Sequence, residues 1–153
     1  RRPDTQITFD IDLALQKNNE NPVYYIQYAH ARVCSALANA TEKYSSADFS
    51  AGIESLHLLT EDAEKELVKL IAQYPQRREN AANELAPHAI AAYLREIAAA
   101  LHGWYARGNQ QKELQWLIDD AALRNARLSL AEAARQTIAN GLWILGVSAP
   151  KSM

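Results

Sequence analysis

Apolar residues recur at helical spacing along most of the chain, and short polar segments separate the elements that they predict. Asn21 is placed to cap the first long helix, and Pro22 suits its first helical position. The apolar stripe of that helix consists of Ile26, Val33 and Leu37. We expect the helix to end at about Ala40, before the polar loop at residues 41–52.

Two shorter helices are predicted next. Thr60 is placed to cap the first of them, and the acidic residues that follow suit the positive end of a helix dipole. Tyr74-Pro75 ends this helix, because a residue before proline disfavours helical backbone. A short helix is then expected over residues 76–85.

Two long helices complete the pattern. Pro87 opens one of them, and Gly108 is its expected stop. The last helix is expected to begin between residues 112 and 120 and to close at Gly146 and Pro150. Five or six helices with short polar links predict an all-α bundle.

One segment breaks the helical pattern. Residues 5–11, with the sequence TQITFDI, alternate apolar and polar positions and predict an extended segment. The sequence offers no convincing second strand, and a single strand is not stable alone. We therefore expect residues 1–10 to be extended and loosely held beside a neighbour that this sequence lacks.

Composition narrows the class of protein. The 153 residues suffice for one domain with its own core, and no apolar run approaches the ~20 residues of a membrane-spanning helix. The lone Cys34 and the lack of a recognisable signal peptide favour the cytoplasm. Because the formal net charge is −2, any nucleic acid must bind at a local site. The first residue is Arg1 and the only methionine is Met153, so we expect a piece of a longer or processed protein.

The sequence contains no self-sufficient catalytic site that we can identify. It has no glycine-rich phosphate loop and no nucleophile elbow, and its four histidines lack the spacing of a zinc site. The acidic runs at residues 61–64 and 119–120 are expected to be solvated helix surface. We expect His102 to be a packed or surface histidine rather than a catalytic base.

The stretch NPVYYIQYAHAR, residues 21–32, concentrates aromatic rings on one helix. At ~100° per residue, Tyr25, Tyr28 and Arg32 share a strip beside the core stripe. Tyrosine rings and a guanidinium can stack on and hydrogen-bond an unpaired RNA base. On spacing alone, the rings could instead complete the core while Arg32 pairs with an acid.

Three separated stretches carry a family resemblance. FDIDLALQKNNENPVYYIQYAHARVCSAL resembles the start of the C-terminal region of bacterial arginyl-tRNA synthetases. PHAIAAYLREIAAALHGWYARG is similar to the middle helix of that region, and ARLSLAEAARQTIANGLWILGVSAPKSM resembles its end. The resemblance implies an all-helical anticodon-binding domain of the DALR type, although Asn125 stands where a second alanine is common.

The same resemblance implies how the chain is divided. Residues 1–20 would be a junction segment and residues 21–153 the anticodon-binding domain. The class I catalytic domain, which uses ATP and Mg²⁺ to attach arginine to tRNA(Arg), would lie upstream. This chain would therefore hold no cofactor and be inactive alone, and Met153 would be the natural C-terminus.

The resemblance also implies which residues contact RNA. They would surround the cytosine of the anticodon, with the tyrosines stacked on the base. They are Tyr25, Tyr28, Arg32, Met153 and an aromatic residue of the middle helix, either Trp104 or Tyr105.

The leading hypothesis is therefore a monomeric tRNA-binding module that contacts its own catalytic domain and no membrane. The alternative is a helical protein-interaction module with no RNA role. A small helical enzyme, supported only by the acidic runs, ranks last.

Overall fold

A computed structural model describes residues 10–44, 48 and 50–153, and it contains helices but no strand within those residues. Its six α-helices are α1 (Ile11–Leu15), α2 (Pro22–Lys43), α3 (Asp62–Ala72), α4 (Tyr74–Asn83), α5 (Pro87–Gln110) and α6 (Ala121–Ile144). Two 3-10 helices lie at Ala51–Leu58 and Lys112–Leu114. The predicted all-α bundle is confirmed.

Three long helices form the centre of the bundle. α2, α5 and α6 pack against one another, α3 lies over α5 and α6, and α4 packs on α5. The core contains fully buried residues from each long helix, among them Val33, Leu94, Leu101 and Ile138. The apolar stripe predicted for α2 therefore faces the core, and Leu37 packs at its edge.

The helix starts with the clearest local signals are confirmed. The side chain of Asn21 accepts hydrogen bonds from the backbone N–H groups of Val23 and Tyr24, and Pro22 is the first residue of α2. α2 continues to Lys43, beyond the predicted end at Ala40. Gly146, with a φ of 69°, follows the end of α6 as predicted.

The segment after α2 contains a helix that the sequence did not predict. Residues 41–43 still belong to α2, and a 3-10 helix follows at Ala51–Leu58 and packs on α6. The Asp48 carboxylate accepts hydrogen bonds from the backbone N–H groups of Ser50 and Ala51, which starts this turn. A 3-10 helix of eight residues is too short to show a helical apolar period, which is why the sequence did not predict it.

Two predicted boundaries of α3 and α4 shift by one or two residues. Glu61, not Thr60, is the N-cap of α3, because Glu61 and Glu64 form a reciprocal capping box. α4 spans Tyr74–Asn83 instead of residues 76–85, because Pro75 suits the first turn of the helix that follows.

Gly108 does not end α5, contrary to the prediction. The helix continues to Gln110. A Cβ atom at position 108 would lie 3.1 Å from Leu114 O and from Gln115 Cα. The glycine therefore allows the segment after α5 to turn back closely against the helix.

Residues 5–9 of the predicted extended segment lie outside the described residues, and Asp10 has the expected extended backbone, with a φ of −89° and a ψ of 105°. Ile11 is described, and it begins α1 after the Asp10 cap, so the prediction was wrong there. The proposed division at residue 20 stays a prediction. The Asn21 amide donates to Ala14 O and Gln16 O, so α1 is attached to the start of α2.

Candidate nucleic-acid interface

A cavity of about 500 Å³ lies between α2, the end of α5, the segment after α5 and the end of the chain. The aromatic and charged part of its wall consists of Tyr28, Arg32, Tyr105 and Trp116. The amides of Asn39, Asn109 and Gln115 add donors and acceptors, and Ser152 and Met153 form the wall from the chain end. Its size suits a small organic group.

Arg32 lies between two aromatic rings at this cavity. Its guanidinium carbon is 4.6 Å from the ring centre of Tyr28 and 4.5 Å from that of Tyr105. Arg32 Nη2 also donates to the Tyr28 hydroxyl at 2.9 Å. Within the described part of the chain, Arg32 forms no ion pair, so the alternative in which it pairs with an acid is not observed.

His102 supports this arrangement from α5. Its Nδ1 lies 3.1 Å from Arg32 Nη1, and its Nε2 lies 3.3 Å from Tyr25 O. Burial lowers the pKa of His102, the hydrogen bond to Tyr25 raises it, and the positive charge of Arg32 lowers it further. His102 is therefore packed, which is one of the two positions that the sequence predicted for it, and its neutral form is favoured.

Tyr25 does not line the cavity, although the sequence predicted that it would contact the base. Its ring packs on His102, with 4.7 Å between ring centres. Tyr28 packs on His102 as well, at 5.6 Å, and also lines the cavity. Tyr25 and Tyr28 lie about one helical turn apart on α2, and only Tyr28 reaches the cavity.

Trp104 is a core residue and not part of the cavity wall. It is 2% exposed and packs against Trp116, with 4.7 Å between ring centres. Adjacent residues of a helix point about 100° apart, so only one of Trp104 and Tyr105 can face the cavity. That residue is Tyr105, whose ring meets Trp116 edge-on at 5.2 Å.

The end of the chain is fastened to α2 before it reaches the cavity. Gln27 Nε2 donates to Ser148 O at 2.8 Å, and His30 Nδ1 contacts Pro150 O at 2.8 Å. Met153 lines the cavity and remains 51% exposed. Of this chain end, Ser152 and Met153 line the cavity, so Met153 lies where the family resemblance places it.

His30 couples this chain end to α6. Arg135 Nη1 lies 3.1 Å from His30 Nε2, and Arg135 also forms a 2.6 Å ion pair with Glu132. Because an arginine can only donate, Nε2 must accept and Nδ1 must carry the proton that reaches Pro150 O. Burial, aided by Arg135, lowers the pKa of His30 against the raising effect of the Pro150 hydrogen bond.

Two buried arginines of α6 hold the segment that forms the remaining wall. Arg127 Nη1 donates to Glu113 O and Gln115 O at 2.7 and 2.8 Å, and Arg124 Nη1 donates to Ile118 O at 2.8 Å. Arg127 also pairs with Glu64.

Residues 61–64 were predicted to be solvated helix surface, and this prediction is wrong for Glu64, which is fully buried in its pair with Arg127. Asp120 is exposed, which agrees with the predicted surface position. Its carboxylate also accepts a hydrogen bond from Leu123 N and so caps α6.

The structure thus brings together Tyr28, Arg32, Tyr105 and Met153, and it leaves Tyr25 and Trp104 behind the cavity wall. Sequence reasoning did not identify Trp116, which lies in an aperiodic segment and carried no helical signal.

Within residues 10–44, 48 and 50–153, no group of three histidine, cysteine, aspartate or glutamate side chains could hold a metal ion. None of the described helices is long and apolar enough to cross a membrane.

Comparison with known proteins identifies the family of this fold. Residues 26–153 match the DALR anticodon binding domain. The chain is 47% identical over its whole length to the arginine–tRNA ligase of Paraburkholderia phytofirmans and 48% identical to that of Burkholderia cenocepacia. It spans only 25% of the length of each of these relatives.

A solved structure, the arginyl-tRNA synthetase of Thermus thermophilus, superposes on 99% of this chain with a TM-score of 0.78 and 34% identity. That match takes up 24% of the Thermus chain. The order of the helices, the match to the family model and these likenesses agree, and the chain belongs to the DALR anticodon binding domain family.

Proposed function

We propose that this chain binds the anticodon loop of tRNA(Arg) as the C-terminal part of an arginine–tRNA ligase. The observation that carries the proposal is the position of Arg32, which lies between the rings of Tyr28 and Tyr105 at one cavity. The identity with arginine–tRNA ligases along the whole chain supports it.

The chemistry of this cavity suits an unpaired base. Anticodon bases are single-stranded, so a protein can stack a ring on them and reach their edges. Tyr28 and Tyr105 supply rings, and the described residues supply acceptors for two of the five N–H groups of Arg32. The other three can donate to a base edge or to a phosphate. Met153 adds a flexible thioether that can pack against a ring.

The charge of the chain supports local recognition. With a formal net charge of −2, it lacks the broad positive surface of a general RNA binder. We therefore expect few phosphate contacts and a shallow dependence of affinity on salt. Discrimination would come from the cavity and its amide groups, since contacts to base edges carry the sequence information.

The remaining expectations concern the whole protein. The catalytic domain, with its ATP and Mg²⁺, would precede residue 21 and contact this one. The chain alone would neither form arginyl-adenylate nor charge tRNA. We further propose that residues 21–153 act as a monomeric unit and that the protein works in the cytoplasm.

The proposal is tested by titrating the chain with a tRNA(Arg) transcript and with the same transcript carrying a different anticodon. We expect clear preference for the first. Tyr28→Ala should weaken that binding about 5- to 150-fold, the range for loss of one stacking ring. The matched control is Tyr74→Ala, which also removes a half-buried, stacked ring but lies at the start of α4, against Tyr93 of α5 and away from the cavity.

Equal affinity for the two transcripts would contradict anticodon recognition. Absence of RNA binding, together with a protein ligand seated at the aromatic cavity, would support the protein-interaction alternative instead.

A further inference from the structure

We propose that His102 is a positioning residue for RNA recognition, which holds the Arg32 guanidinium in place at the cavity only while its imidazole is uncharged. This inference rests on the proposed function for its RNA readout. Its structural basis is separate and concerns the contacts between α5 and α2.

The partners of His102 determine its tautomer. Arg32 Nη1 can only donate, so His102 Nδ1, at 3.1 Å, must accept. Tyr25 O can only accept, so His102 Nε2, at 3.3 Å, must donate. The neutral imidazole with its proton on Nε2 is therefore the one form that satisfies both contacts.

Two residues of α5, His102 and Tyr105, contact Arg32. Tyr105 lies three residues after His102 on α5, so both side chains reach the same face of that helix. The Arg32 guanidinium carbon lies 4.5 Å from the ring centre of Tyr105 and 4.6 Å from that of Tyr28. His102 Nδ1 accepts from Nη1 and the Tyr28 hydroxyl accepts from Nη2, so each terminal nitrogen of the guanidinium has its own acceptor.

Protonation would break this arrangement. A proton on Nδ1 would face an Arg32 N–H, so two donors and two positive charges would meet about 3.1 Å apart. The groups that face His102 are Arg32, Tyr25 and Tyr28 of α2. Among the described residues, no carboxylate contacts the ring to offset the added charge. Burial and Arg32 both lower the pKa of His102, which keeps it neutral near pH 7.

The RNA experiment compares the discrimination between the two transcripts at about pH 7.5 and at a series of lower pH values. His102→Leu removes the acceptor and should reduce discrimination roughly 2- to 12-fold at the higher pH, the range for one hydrogen bond. His102→Gln retains an acceptor and a donor but does not titrate. It should restore discrimination across the series, whereas the parent should lose it as the pH falls through the lowered pKa of His102.

The matched control is His57→Gln, because His57 is exposed on the 3-10 helix at Ala51–Leu58 and does not line the cavity. This variant should keep the pH profile of the parent. If His102→Gln also keeps that profile, His102 does not cause the loss. If His102→Leu discriminates as well as the parent at the higher pH, the positioning role is wrong.

A second readout needs no RNA and therefore separates the two proposals. Long-range nitrogen–proton NMR spectra should show the proton of His102 on Nε2, and the guanidinium signals of Arg32 should be resolved. The Arg32 signals should merge into one averaged signal in His102→Leu and should be resolved again in His102→Gln. A proton on Nδ1, or Arg32 signals unchanged in His102→Leu, would overturn the inference even if RNA binds. Failure of every variant to bind RNA would instead contradict the proposed function.

Discussion

Arg127 and Glu64 form a buried ion pair, with 2.7 Å between Arg127 Nε and Glu64 Oε1 and side chains only 3% and 0% exposed. The pair joins α6 to α3, and Arg127 also holds the carbonyl groups of Glu113 and Gln115 beside the cavity wall. One side chain thus satisfies a buried charge and fixes part of the candidate binding site.

Removal of one partner of this pair should strongly destabilise the fold. Arg127→Met leaves the Glu64 carboxylate buried without its cation, which we expect to cost about 3–5 kcal/mol of unfolding free energy. Urea denaturation measures this loss. Arg77→Met is the control, because Arg77 and Glu96 are 3.7 Å apart and about half exposed, and such pairs contribute about 0–1 kcal/mol. Similar losses in the two variants would contradict a structural role specific to Arg127.

The Glu64–Arg127 pair also shows which kind of contact could not be predicted from this sequence. The start of α2 was predictable because Asn21 and Pro22 act within one turn. Glu64 looked like surface because its partner lies 63 residues away in the chain. The choice between Trp104 and Tyr105 was undecided for a similar reason: it depends on where α5 meets Trp116, which lies in a segment without helical period.

Trp104 and Tyr105 should give opposite phenotypes. Trp104→Ala opens the core and should cost about 3–5 kcal/mol of stability. Tyr105→Ala should cost less stability but weaken binding of tRNA(Arg), because its ring lines the cavity and covers Arg32. Thermal melts and RNA titrations of both variants decide this. Intact RNA binding by a folded Tyr105→Ala protein would contradict the assignment.

Deletion of Ser152 and Met153 should separate binding from stability. Both residues line the cavity, Met153 is 51% exposed, and the chain end is fastened upstream at Ser148 and Pro150. We expect weaker RNA binding with a nearly unchanged melting temperature. Gln27→Ala is the comparison, since it loosens the upstream attachment. A fall in stability as large as the fall in binding would identify the deleted residues as structural.

Stability should decrease as the pH falls below the ordinary histidine pKa of 6.5. His30 and His102 both have lowered pKa values in the folded state, so the unfolded chain binds protons first. Their contribution is fully present above about pH 6.5 and is lost as the pH falls towards the folded-state values. Urea midpoints across this range should fall less for a His30→Gln/His102→Gln variant than for the parent. Identical slopes would show that neither histidine is responsible.

The central claim is that an anticodon base enters the cavity beside Arg32 and Tyr105. A double cycle tests it by combining the parent and Tyr105→Ala with tRNA(Arg) and with a changed form that lacks one anticodon base. If the base contacts Tyr105, this substitution should weaken binding of tRNA(Arg) about 5- to 150-fold and leave the weaker binding of the changed RNA nearly constant. If Tyr105→Ala weakens binding of both RNAs by the same factor, the base does not occupy this cavity.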